Sequence, residues 1–132
     1  MGINKYGAKK ITAPDGQVFD SKREYHRWCI LKLMERGGKI SNLKRQVTFE
    51  LIPTQRETST EVYKAGPQKG LPKPGAVLEK ACTYVADYVY KDSYGKIHVE
   101  DVKGYKGGGA YAVFSIKRKL MLHVHGIVVE EV

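Results

Sequence analysis

Asp87, Asp101 and Lys103 are the residues whose types and spacing could do chemistry. Paired carboxylates offer the hard oxygen ligands that Mg²⁺ takes. A lysine beside them could orient a water or neutralise charge on a phosphorus under attack. Side chains two apart in a strand share a face. Asp101 and Lys103 therefore share one, and Glu100 points to the other. The segments ACTYVADYVYK (81–91) and KIHVEDVK (96–103) read as two strands joined by Asp92-Ser93-Tyr94-Gly95, which has Asp first and Gly last, as a type I turn prefers. If this is a three-residue loop with a left-handed Gly95, Asp92 pairs with Lys96, and the register sets Asp87 opposite Asp101 and Val89 opposite Val99. One face then reads Val85, Asp87, Val89 against Lys103, Asp101, Val99. A four-residue loop would set Asp87 opposite Glu100 instead.

Like charges facing each other across strands repel, and burying them costs solvation. A divalent cation offsets both. The plainer reading of Asp-x-Lys is a solvent-facing strand edge. An aspartate among valines on the paired strand argues against it.

The elements that must position this hairpin follow from periodicity and punctuation. Residues 1–19 form a basic arm, in which Pro14-Asp15-Gly16 separates two short β-like pieces at 10–12 and 17–19. A helix is expected over 21–36, capped by Asp20 or Ser21 and ended by Gly37-Gly38, with Tyr25, Trp28, Cys29, Leu31, Leu33 and Met34 as its apolar stripe. Alternation over 40–52 predicts a strand that Pro53 closes. Residues 54–80, polar and rich in Gly and Pro, read as a long loop of the kind that is usually functional or mobile. After the hairpin come a Gly-rich loop at 104–109, a helix over 110–124 with Val113, Phe114, Leu120, Met121 and Val124 on its apolar side, and a strand over 127–132. The order is α-β-β-β-α-β, without an internal repeat.

The 132 residues fit one domain, and a 42% hydrophobic content is enough for a packed core. Apolar runs are far shorter than the roughly 18–20 residues that cross a bilayer. MGINKYGAKK lacks the apolar run of a secretory signal, and MGINKY lacks the hydroxyl residue at its sixth place that myristoylation expects. Cys29 and Cys82 are too few for a disulfide framework and too isolated for a zinc site, which reads as reduced core thiols in a cytoplasmic protein. His26, His98, His123 and His125 show no metal-ligand spacing. The net charge of +9 draws the chain toward a polyanion, of which nucleic acid is the commonest.

The strand order, the aspartate in TYVADYVY and the acid-x-lysine in VEDVKG resemble the PD-(D/E)XK nuclease superfamily. FDSKREYHRW, followed by YVADYVY, VEDVKG and FSIKRKL, resembles small phage-encoded endonucleases and Holliday-junction-resolvase-like proteins. The likeness spans most of the chain outside 54–80. It implies an α/β fold with an αβββαβ restriction-endonuclease-like core, a mixed sheet flanked by helices. It further implies a metal-dependent DNA endonuclease using Mg²⁺ or Mn²⁺, acting on branched DNA such as Holliday junctions, as a homodimer. By the same resemblance, Asp87 is the metal-binding aspartate, with Ala86 where a proline often stands. Asp101 is the second ligand, Val102 lends its backbone oxygen, and Lys103 is the catalytic lysine. Glu24 matches a glutamate that many members present from the first helix, and Lys117 a polar residue from the second. A non-catalytic nucleic-acid-binding module that kept the fold is the alternative.

Two of these residues have competing explanations. Ser21-Lys22-Arg23-Glu24 is a capping box, in which Glu24 would bond back to the cap. Lys117 lies in an apolar stripe, where a lysine commonly snorkels. Gln46 could face the site from the first long strand. Lys22, Arg23, Tyr105, Lys106, Arg118 and Lys119 suit phosphate contacts that position DNA without reading its sequence. The glycines at 107–109 would either let that loop approach a backbone or serve as a plain connection.

Overall fold

The computed structural model describes residues 9–132. The first eight residues of the expected basic arm, with the Gly2 motif, lie outside the described residues. Two short strands, β1 (Ile11–Thr12) and β2 (Val18–Phe19), pair around the Pro14-Asp15-Gly16 turn. Helix α1 (Lys22–Arg36) follows, with Ser21 Oγ accepting the Glu24 N–H at 3.1 Å. The long strand β3 (Ile40–Ile52) leads out to β4 (Gln55–Arg56) and back through β5 (Val77–Glu79). The hairpin is β6 (Cys82–Asp92) and β7 (Ile97–Asp101), followed by helix α2 (Gly108–His125) and β8 (Val129–Glu131).

The main sheet has the order β3-β6-β7-β8, antiparallel except for the parallel pairing of β7 with β8. The fold is thus mixed α/β: a mixed four-stranded sheet flanked by two helices, in the expected αβββαβ order. Two apolar clusters hold it. Tyr84, Ala86, Val99 and Val129 pack with Phe114 and Met121 of α2. Tyr88, Tyr90 and Ile40 pack with Leu31 of α1. The helical stripes are narrower than the sequence suggests. Leu33, Val113 and Val124 face solvent, because each helix buries only the narrow face centred on Leu31 or on Phe114 and Met121. Cys29 and Cys82 are free and only half-buried, not fully interior, because one lies at the margin of α1 and the other at the end of β6. Within the described residues no helix is long and apolar enough to cross a membrane.

The turn forms as its residues dictate. The Asp92 N–H bonds the Lys96 carbonyl at 2.9 Å, and the Gly95 N–H bonds the Asp92 carbonyl at 3.0 Å. Gly95 takes φ +82°, a left-handed value that side chains rarely adopt. The Asp92 carboxylate caps the turn by accepting the N–H groups of Tyr94 and Lys96. The register runs Lys91 to Ile97, Tyr90 to His98, Val89 to Val99 and Tyr88 to Glu100.

His98 ties this turn to the far strand. Its two ring nitrogens lie 2.8 Å from Asp92 and 2.8 Å from Glu130 of β8, and the ring stacks on Tyr90. Asp92 chiefly, then Glu130, raises the imidazole above its ordinary range. A raised folded-state value means that the charged pairs stabilise fully below the unfolded pKa of about 6.5, and that this is lost as pH rises through the folded value. His98→Gln is therefore expected to lower the urea midpoint more at pH 5.5 than at pH 8.5. An equal loss at both pH values would refute the assignment.

Candidate active site

One step beyond Tyr88 and Glu100, the same register sets Asp87 opposite Asp101. The three-residue loop is the one that forms. The expected face is only partly right, however. Tyr84 and Ala86 pack on the α2 side, while Tyr88 and Tyr90 pack on the α1 side. The alternation of β6 therefore breaks at Asp87. Across from it on β3 stands Gln46, whose φ of +54° is strained for a residue with a side chain. Because of this break Val85 points to solvent, and Tyr84 instead reaches Asp101.

Asp101 is buried and doubly bound. Its Oδ2 accepts the Tyr84 hydroxyl at 2.7 Å, and its Oδ1 pairs with Lys103 Nζ at 2.7 Å. The same amine lies 3.7 Å from the centre of the Phe114 ring, a cation–π contact that ties it to α2. Asp87 accepts the Val102 N–H at 2.8 Å on Oδ2 and the Gln46 amide at 3.2 Å on Oδ1. Burial, then the charge of Asp101, pushes its carboxyl above the ordinary range, against the Val102 and Gln46 bonds and Lys103, which favour ionisation.

Helix α1 supplies the third acid. Glu24 is 6% exposed, and its carboxylate lies 3.6 Å from Arg45 of β3. Burial chiefly, with Asp87 and Asp20 nearby, pushes it up to about 7. The Glu24 N–H completes one half of the capping box, while its side chain turns to the cleft. Arg45 is packed 3.8 Å from the Phe19 ring centre and leaves its Nε buried without a partner.

These groups line a cleft of about 440 Å³. Asp20, Ser21, Arg23 and Glu24 form one wall. Asp87, Asp101, Val102 and Lys103 form another, and Gly104, Tyr105, Gly107 and Ala110 close the third. Of the candidate residues, Asp87, Asp101, Val102, Lys103, Glu24, Arg23 and Tyr105 are thus brought together. Lys22, Lys106, Lys117, Arg118 and Lys119 do not line the cleft. Lys117 is half-buried on α2, Arg118 bonds Glu131 at 3.0 Å, and Lys22, Lys106 and Lys119 are exposed. Sequence reasoning missed the site roles of Tyr84 and Asp20, and counted Arg45 only toward the positive field. A capping position gave Asp20 as a helix start only, and strand periodicity puts Tyr84 on the wrong face.

The matching family model is described as a protein of unknown function, DUF1064, and it covers residues 3–126. The chain belongs to the DUF1064 family. No curated protein and no solved structure matches it.

The donor set of this DUF1064 site is chemically suited to a hard cation. Every candidate ligand is oxygen, and each bonded carboxylate oxygen keeps a second lone pair. No backbone donor among the described residues takes the Val102 carbonyl. No three His, Cys, Asp or Glu side chains among those residues stand close enough to enclose an ion by themselves. The set to be tested is therefore two carboxylates, one carbonyl and water, the sparse shell that Mg²⁺ tolerates.

Asp87 gives a test that needs no turnover. Its folded-state pKa is raised, so its ionised form is a burden on the fold above that pKa and none below the unfolded value near 3.9. In EDTA at pH 8, Asp87→Asn is expected to raise Tm by a few degrees, with the gain disappearing near pH 4. Mn²⁺ is expected to raise the Tm of the wild type and to leave Asp87→Asn unmoved. A variant that melts lower at pH 8, or that responds to Mn²⁺ equally, would contradict the electrostatic account.

Proposed function

We propose that this protein is a metal-dependent DNA endonuclease that hydrolyses phosphodiester bonds. The supporting observation is the convergence of Asp87, Asp101 and the Lys103 amine in one cleft, on adjacent strands of a mixed α/β sheet. The resemblance to PD-(D/E)XK nucleases assigns the same three positions to metal binding and catalysis. The net charge of +9 suits a polyanionic substrate.

Asp87 and Asp101 would hold Mg²⁺ or Mn²⁺ through their remaining lone pairs, with the Val102 carbonyl as a third ligand. Such an ion, when bound, polarises the phosphodiester and lowers the pKa of a bound water. Lys103 is anchored by Asp101 and Phe114 at the rim, where its charge can stabilise the negative phosphorane. Glu24, poised near pH 7, can accept a proton from the attacking water or pass it to solvent. Tyr84 holds Asp101 in orientation by its hydroxyl. Arg23 and Tyr105 at the cleft, and Lys22, Lys106, Arg118 and Lys119 outside it, would contact the DNA backbone. We further propose a cytoplasmic enzyme that acts on branched DNA such as a four-way junction, as a homodimer whose two sites cut two strands.

Linear duplex, single-stranded and four-way-junction DNA should be incubated with the protein in Mg²⁺, Mn²⁺ or EDTA. Cutting is expected with either metal, fastest on the junction, and none in EDTA. Asp101→Asn and Lys103→Ala should each slow cutting by about 10²-fold or more, with DNA binding retained. Tight binding without cutting in either metal would replace the enzyme by a nucleic-acid-binding module of the same fold.

A further inference from the structure

Residues 54–80 are not the loop that their Gly and Pro content suggests. They form a hydrogen-bonded arm two chains wide. Beyond the β4–β5 pairing, the Glu57 N–H bonds the Ala76 carbonyl and the Lys73 N–H bonds the Glu61 carbonyl. Val62 then bridges Pro72, and the Tyr63 N–H bonds Leu71. The tip closes at Gly66 and Gly70, both at positive φ.

None of these residues is buried. The arm therefore packs on nothing that would stabilise it, and an isolated two-stranded ribbon is marginal in water. It also leaves Val62, Leu71, Val77 and Leu78 exposed to solvent. An ordered, uncovered ribbon of this kind is built to lie against something.

Its charge indicates what. Glu57 and Glu79 lie in the proximal half, and Glu61 stands across from Lys73 where the distal stretch begins. The distal stretch VYKAGPQKGLPK, residues 62–73, carries Lys64, Lys69 and Lys73 and no acidic residue. The tip between them is Ala, Gly, Pro, Gln and Gly, slim enough for its backbone to approach a phosphate chain. Position agrees with charge. The arm leaves the sheet where Ile52 pairs with Cys82, five residues along β6 from Asp87, or roughly 17 Å at the rise of a strand. β7, running antiparallel to β6, delivers Asp101 and then Lys103 toward this same end. From Pro53 to Gly66 the arm can span up to roughly 40 Å. That exceeds one turn of duplex DNA, about 34–36 Å.

We infer that the 54–80 arm is a DNA clamp, which sets Lys64, Lys69 and Lys73 on phosphates beyond those that the cleft holds. This rests on the DNA-processing reading above and adds the element that grips the substrate at a distance. It makes substrate length matter: a duplex shorter than a turn fills the cleft and leaves the tip empty.

The test measures binding in EDTA, so that cutting plays no part. Fluorescence anisotropy of a 40-base-pair and a 10-base-pair duplex is followed across a salt series for the wild type and for Lys64→Gln/Lys69→Gln/Lys73→Gln. Circular dichroism checks that the triple variant is folded. For the long duplex, removing three phosphate contacts is expected to flatten the slope of log K against log salt by about 2.7. The short duplex should show no change. An unchanged slope on the long duplex would overturn the clamp, even if metal-dependent cutting is observed. So would an equal change on both lengths, which marks a general charge effect. A triple variant that binds DNA as before but changes its oligomeric state would also overturn it, in favour of an arm that joins two copies. Wild-type protein with no affinity for either duplex would sink the clamp, whereas the endonuclease reading stands or falls on the junction-cutting assay with metal.

Discussion

The register of one hairpin fixes where every charge in the cleft stands. Glu100 and Asp101 are neighbours in sequence with opposite surroundings. Glu100, 1% exposed, accepts two bonds from Arg27, at 2.8 and 2.6 Å, and one from Tyr90. Asp101, on the other face, takes Tyr84 and Lys103. A slip of one residue would send each carboxylate to the other face and break the present Arg27–Glu100 and Tyr84–Asp101 bonds. The Asp92–Gly95 turn sets the register locally, and the two acids enforce it globally.

The Arg27–Glu100 pair does a second thing. Arg27 lies three residues after Glu24 on α1, so a bidentate bond to β7 fixes the helix that presents Glu24 against the strand that presents Asp101. Arg45 holds the other side, between the Phe19 ring and the Glu24 carboxylate. Three acids are thus pinned around one poorly solvated cleft by groups that belong to the fold's own cohesion. Burial raises the carboxyls of Asp87 and Glu24 above their ordinary range. Such raised values are more typical of sites that act on something than of structural ion pairs, which lower carboxyl pKa values.

Much of this was legible from sequence, for identifiable reasons. The six-element order follows from strand alternation and helix caps, and the facing aspartates follow from counting back from a turn whose Asp and Gly admit few conformations. Tyr84 was not legible. Period-two logic puts it opposite the Asp87 face, and only the joint irregularity at Asp87 and at left-handed Gln46 turns it toward Asp101. The apolar stripes were over-read at Leu33, Val113 and Val124, since a spacing pattern gives the side that a helix could bury and not how much the sheet covers. The arm was hidden because Gly and Pro mark turns equally well in a loop and in a ribbon. Its pairing is carried by backbone groups, which leave no mark on composition.

Charge distribution joins the two halves of the molecule. The cleft itself repels a phosphodiester, because Asp20, Glu24, Asp87 and Asp101 outnumber Lys103 and Arg23 on its walls. A polyanion entering it must be drawn by charge placed elsewhere, and the chain's excess of nine positive charges lies largely outside the cleft. Attraction at a distance and repulsion at the centre are compatible only if something neutralises the centre when substrate arrives. A divalent cation held by Asp87 and Asp101 would do that within the cleft. On the proposed reading, nucleic acid would be held by the periphery, and the centre would stay incomplete until the ion is bound.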